Sequence, residues 1–123
     1  MENTEICRAL FEALASGDEA RVRALCAPDM QARQNSTLMT LDSLLQFSQA
    51  VLHVVKDFRY EDAVRSETAS GFVEEHSVRG ELPDGSKLDL PVCVVGDVRD
   101  GKICSLREYL DTRAASGLIA ALS

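Results

Sequence analysis

The spacing of apolar residues predicts an α+β fold in one domain over residues 1–123, with helices first and hairpin-linked strands after them. Three observations predict it. Apolar residues recur at helical spacing as far as Val55, and from Lys56 onward they alternate with polar ones. Two turn sequences, Pro83-Asp84-Gly85 and Asp100-Gly101-Lys102, supply the positive-φ residues of tight hairpins. Strands that follow helices, rather than alternate with them, form a sheet covered on one face.

The first helix is expected over Thr4 to Ser16, where Ile6, Leu10, Phe11 and Leu14 share a face and Thr4 stands at the capping position. Gly17 ends it. Asp18 caps a short second helix that buries Val22, Leu25 and Cys26 and stops before Pro28. Weak alternation over Asp29 to Asn35 fits a short strand. A third helix, capped by Thr40 or Asp42, gathers Leu41, Leu44, Leu45, Phe47, Val51, Leu52 and Val55 on one broad side, which predicts the most buried helix. Strands are expected at Asp57 to Val64, Gly71 to Gly80, Lys87 to Val98 and Ile103 to Leu110. A last helix over Thr112 to Leu122 takes Asp111 as its cap and is weakened by Gly117. The expected core combines Leu44, Leu45, Phe47, Val51, Phe72, Val92, Val94, Leu106 and Leu110.

Hydrophobic residues make up 46% of the chain and charged ones 27%, the balance of a folded domain rather than a disordered segment. The 20 acidic and 13 basic side chains leave a net charge of −7, which repels phosphate backbones and anionic lipid. Neither nucleic acid nor membrane is therefore expected as a partner. The acidic start, Met1-Glu2-Asn3-Thr4-Glu5, is unlike a signal peptide, and no apolar run reaches the ~18 residues of a membrane span, so a cytoplasmic location is expected. Cys7, Cys26, Cys93 and Cys104 lie in apolar patterns without paired spacing and read as small buried hydrophobes. His53 and His76 are far from one another and from any ligand cluster, so no metal and no cofactor are expected.

Two stretches carry a resemblance. Phe11-Glu12-Ala13-Leu14-Ala15-Ser16-Gly17-Asp18, with Leu25-Cys26-Ala27-Pro28-Asp29, is similar to the helix, Gly-Asp corner and first strand of SnoaL-like domains. Asp100-Gly101-Lys102-Ile103, then Leu106-Arg107-Glu108-Tyr109-Leu110-Asp111, resembles their last hairpin and strand. The chain thus resembles the SnoaL-like branch of the nuclear transport factor 2 superfamily. The resemblance implies three N-terminal helices packed in the concavity of a strongly curved, mixed, mostly antiparallel sheet. It also implies a cavity for a small apolar molecule, and a homodimer through the outer sheet face near Arg107 and Tyr109.

That superfamily includes ketosteroid isomerases, polyketide cyclases and limonene epoxide hydrolases, so its fold does not specify a function. By this resemblance the steroid isomerase positions fall on Gln34, Leu10 and Cys93. Gln34 cannot abstract a proton, Leu10 cannot donate a hydrogen bond, and Cys93 is a weak donor. The epoxide hydrolase positions fall on Glu75, Ser77 and Glu108, with the arginine missing.

Strand parity puts Cys104, Leu106, Glu108 and Leu110 on one face and Ile103, Ser105, Arg107, Tyr109 and Asp111 on the other. The resemblance turns the first set toward the cavity. Glu108 becomes the candidate catalytic acid or base, because a carboxylate among apolar neighbours has a raised pKa. Its alternative is a solvated carboxylate at the sheet edge, paired with Arg107 or Lys102. His76 shares the more apolar face of its strand with Phe72, Glu74 and Val78 and is the candidate partner in proton transfer, its alternative being a structural or solvent-facing histidine. The epoxide hydrolase match would instead turn Glu75 and Ser77 inward. Leu10, Gln34, Cys93, Leu106 and Leu110 are the expected lining. Two functions stand as expectations: a cofactor-free isomerase, cyclase or lyase acting on a small apolar carbonyl compound through Glu108 and His76, or a binding or assembly module without catalysis.

Overall fold

In the computed structural model, which describes residues 1–123, Gly17 takes a φ of +72° and ends helix α1 (Asn3–Ser16), its N–H turning back to the carbonyls of Ala13 and Leu14. Asp18 accepts from the Arg21 N–H at 3.0 Å and opens α2 (Glu19–Leu25). The start of α1 differs from expectation. Thr4 lies inside the first turn, and Glu2 precedes the helix without capping it through its side chain. The Glu67 carboxylate, remote in sequence, takes the free N–H of Asn3 at 2.8 Å instead.

Strand β1 (Cys26–Gln34) starts earlier than the alternation suggests and contains Pro28, where its pairing slips between Cys26 and Gln31. A proline without an N–H to donate is tolerated at such an irregularity. Asn35, at φ +51°, turns the chain into β2 (Thr37–Thr40), a four-residue edge strand too short to show a period. Thr40 then caps α3 (Leu41–Val54) through the Ser43 N–H at 3.1 Å.

The most buried helix is α1, not α3. Helix α1 buries Ile6, Cys7, Leu10, Phe11, Ala13 and Leu14, whereas α3 buries Leu41, Leu44, Leu45 and Val51. Phe47 and Ser48 of α3 are only half-buried because they border a cavity.

The remaining strands are β3 (Lys56–Glu67), β4 (Gly71–Glu81), β5 (Lys87–Arg99) and β6 (Lys102–Leu110). They complete a six-stranded sheet of order β2-β1-β6-β5-β4-β3, in which β1 and β6 run parallel and every other pair is antiparallel. Helices α1 and α3 cover one face, and α4 (Ser116–Leu122) packs on α3. The fold is α+β. Helix α4 begins later than expected because Asp111 spends its carboxylate on the Arg113 N–H at 2.9 Å, which shapes a turn. No helix is long and apolar enough to cross a membrane.

Bulges decide which side chains reach the helices. Strand β3 carries one extra residue against β4 at two places, each with a left-handed aspartate: Asp57 at φ +56° and Asp62 at φ +58°. Before the second bulge Phe58 and Tyr60 face inward. After it the phase reverses, so that Arg65 turns inward and Val64 is left 65% exposed. Arg79 grips the bulge, with Nη1 2.8 Å from Asp62 Oδ2. A third slip, opposite Asp97 and Val98, places Ile103 in the core, where simple parity with Arg107 and Tyr109 predicts the outer face.

Candidate functional site

One cross-strand row on the inner face sets the site. Gln34 of β1, Glu108 of β6, Val94 of β5, Glu74 of β4 and Arg65 of β3 are successive partners. Two polar groups thus flank Val94, and Glu74 and Glu108 rise from backbones about 10 Å apart, two strand spacings. His76 lies in the adjacent row, paired through Val92 to Leu110.

His76 and Glu74 are buried together, 4% and 1% exposed, with Nδ1 2.6 Å from Oε2. Glu74 Oε1 accepts from Arg65 Nε at 2.8 Å and from the Cys7 thiol at 3.6 Å. Burial pushes the Glu74 carboxyl upward, but the hydrogen bonds from His76 and Arg65, reinforced by their charges, leave it below the ordinary carboxylate range. It is therefore an anion. Phe11 and Tyr60 hold the imidazole edge-on and tilted, with centroids 4.8 and 4.7 Å away. The Nε2 atom has no protein partner, and His76 borders the cavity.

Glu108 accepts from Gln34 Nε2 at 3.1 Å through Oε2, and Oε1 has no protein partner. Burial pushes its carboxyl up, opposed by the Gln34 hydrogen bond and by His76 nearby. What surface the residue keeps opens on the cavity. Tyr60 is close by. Burial, with Glu108 and Glu74 adding to it, pushes the phenol up, so the hydroxyl stays neutral and able to donate.

The cavity has a volume of about 380 Å³, at the small end of ligand sites, which run from about 300 to 1,000 Å³. Leu44, Phe47 and Val51 of α3 form one wall, the inner sheet face another, and Ala115, Leu118 and Ile119 close a third. Its lining is mainly apolar, which leaves Gln34, Tyr60, His76 and Glu108 as the polar groups that the sheet and its strands direct into it.

Of the residues singled out from sequence, Gln34, His76, Glu108 and Leu110 line this cavity together. Leu10 and Leu106 are buried in the adjoining core and do not line it. Cys93 is a correction. Because Val92 and Val94 point inward, Cys93 points to the outer face, in register with Glu75 and Tyr109, and borders a shallow cleft there. His76 is the inward residue of its strand. Glu75 is exposed and Ser77 lies on the same outward side. His53 is exposed on α3.

Sequence reading did not pair Glu74 with His76, and it left out Arg65, Phe58 and Tyr60. The Glu74 signal was present, two residues before the histidine on one strand face. Arg65 was hidden by the bulge at Asp62.

Comparison with known proteins bears on the fold. Residues 7–106 match the SnoaL-like domain family. A candidate polyketide cyclase from Xanthomonas campestris pv. campestris superposes with a TM-score of 0.81 at 22% identity, covering 98% of this chain and 96% of that one. Another, from Pseudomonas putida KT2440, gives 0.80 at 19% identity over 100% and 99%. A protein with a ketosteroid isomerase-like fold from Catenulispora acidiphila DSM 44928, in complex with trimethylamine, gives 0.75 at 15% identity over 85% and 84%. No match was found among curated proteins. With the family matched over most of its length and the cone-like architecture shared with these structures, the chain belongs to the SnoaL-like domain family.

Proposed function

We infer that the cavity binds a small, largely apolar carbonyl compound and that Glu108 and His76 transfer a proton on it without a cofactor, as an isomerase, cyclase or lyase does. One observation carries this reading: two ionisable side chains from different strands, Glu108 and His76, border the same apolar cavity, each with one atom free of protein partners. Burial shifts the Glu108 carboxyl upward, the direction that favours general acid or base catalysis. The apolar walls supply binding area, and the neutral Tyr60 hydroxyl and Gln34 amide supply orientation. Similarity to candidate polyketide cyclases supports the reaction class and not the substrate.

Deuterium uptake next to the carbonyl of small cyclic ketones, followed by NMR in heavy water, tests the reading. The wild type is expected to accelerate it, and Glu108→Gln to lose ~10²–10⁴-fold of that rate while still binding the ketone. Equal rates for the two proteins would remove Glu108 from the chemistry, and binding without uptake in the wild type would leave a ligand-binding protein.

A further inference from the structure

The two oxygens of Glu74 keep different company. Oε1 accepts from Arg65 Nε at 2.8 Å and from the Cys7 thiol at 3.6 Å, whereas Oε2 meets only His76 Nδ1, at 2.6 Å. A carboxylate that carries an arginine is an acceptor alone, so the hydrogen in the short contact belongs to Nδ1. In the neutral imidazole the lone pair is then on Nε2. Phe11 and Tyr60, packed against the ring, keep it from turning over and exchanging its nitrogens.

We propose that Glu74 and Arg65 are positioning residues: they fix His76 as the Nδ1–H tautomer and so present Nε2 to the cavity as a proton acceptor, with Glu108 as the proton donor. The catalytic half rests on the carbonyl reading above; the tautomer does not. In the step, the Nε2 lone pair takes a proton from the carbon beside the carbonyl. The C–H electron pair becomes the C=C bond of an enol, and the C=O π pair takes the proton of Glu108. His76 becomes an imidazolium paired with Glu74, and Glu108 a carboxylate. Return of one proton from His76 to carbon and of the enol proton to Glu108 restores both groups.

The arrangement predicts what happens when Glu74 is replaced by its amide. In Glu74→Gln the donors of Arg65 and Cys7 still require an oxygen at the Oε1 place, so the amide nitrogen must face His76. Nδ1 can then only accept, and the ring proton moves to Nε2. Long-range proton–nitrogen correlation NMR of the neutral ring reads the tautomer directly. The expected result is Nδ1–H in the wild type and Nε2–H in Glu74→Gln, with ketone exchange falling at least tenfold in the variant. An Nε2–H ring in the wild type, or Nδ1–H in both proteins, overturns the proposal. If Glu74→Gln does not fold, the wild-type spectrum alone still decides. Absent ketone exchange with the expected tautomers would sink the carbonyl reading and leave the positioning intact.

Discussion

The Phe72 ring lies over Gly96 on the neighbouring strand so closely that a β-carbon at Gly96 would overlap its Cζ, Cε1 and Cε2 atoms. Phe72 is fully buried, with little room to rotate away. Gly96→Ala is therefore expected to cost about 1–3 kcal/mol by overpacking, read from urea denaturation. A loss under ~0.5 kcal/mol would mean that the ring moves aside freely.

Leu106 pairs with Gly96 in the same row and is 4% exposed. Leu106→Ala leaves a void in the core beside Gly96 and Ala32, and the expected loss is about 2–5 kcal/mol. A value typical of surface positions would show that the inward phase of β6 is not set at Leu106.

Glu74 and Glu108 act on stability in opposite pH ranges. The Glu108 pKa is raised in the folded protein, so its contribution is fully present below the unfolded carboxyl value and is lost as pH rises through the folded value. The Glu74 pKa is depressed, so its contribution is present above the unfolded value and lost as pH falls through the folded one. Thermal unfolding from acid to neutral pH is expected to show Glu108→Gln gaining on the wild type as pH rises. Glu74→Gln should fall behind over the same range. Parallel curves for either variant would contradict the corresponding shift.

Thiol reactivity should separate the cysteines into two pairs. Burial pushes Cys7 up to about 12, helped by Glu74, and Cys26 up to about 11, so neither forms a thiolate near neutrality. Cys93 and Cys104 are half-buried. A maleimide in excess should modify Cys93 and Cys104 first, and Cys7 and Cys26 only on unfolding. Mass-spectrometric detection of early Cys7 labelling would show that α1 opens locally.

The outer sheet face is expected to meet a second copy of the chain. Tyr109 is 45% exposed there, beside the half-buried Cys93, Val73 and Val95, and Arg107 is tied across it to Asp97 at 2.7 Å. Two such faces related by a twofold axis would cover one another. Sedimentation at micromolar concentration should give a dimer that Tyr109→Glu weakens, and a monomer throughout the range would rule it out.

The turn residues and the apolar period made most of the architecture legible: Gly17, Asp18, Thr40, Pro83-Asp84-Gly85 and Asp100-Gly101 act locally, and local chemistry is what a sequence displays. Alternation shows which residues share a face with His76 and with Glu108 because no bulge interrupts β4, or β6 beyond Cys104, while the inward direction of the Glu108 face comes from the resemblance. Arg65 could not. Its inward turn depends on a residue that pairs with nothing, and β-bulges leave no periodic trace. Thr4 failed as a cap for a related reason, since the N–H of Asn3 is met by Glu67, a contact distant in sequence.

The extra residue at Asp62 has a consequence for how this chain can change. If β3 paired with β4 without that bulge and kept every residue, the two sides of the rest of the strand would be exchanged, with Val64 opposite Glu74 and Arg65 turned to water. Glu74 would then be enclosed without the guanidinium that offsets its charge, with only His76 and the Cys7 thiol left as hydrogen-bond partners. The charge balance of the interior is thus set by where β3 is bulged: deleting Asp62 itself would leave Val64 opposite Glu75 and Arg65 opposite Glu74, whereas flattening the bulge would take the arginine away.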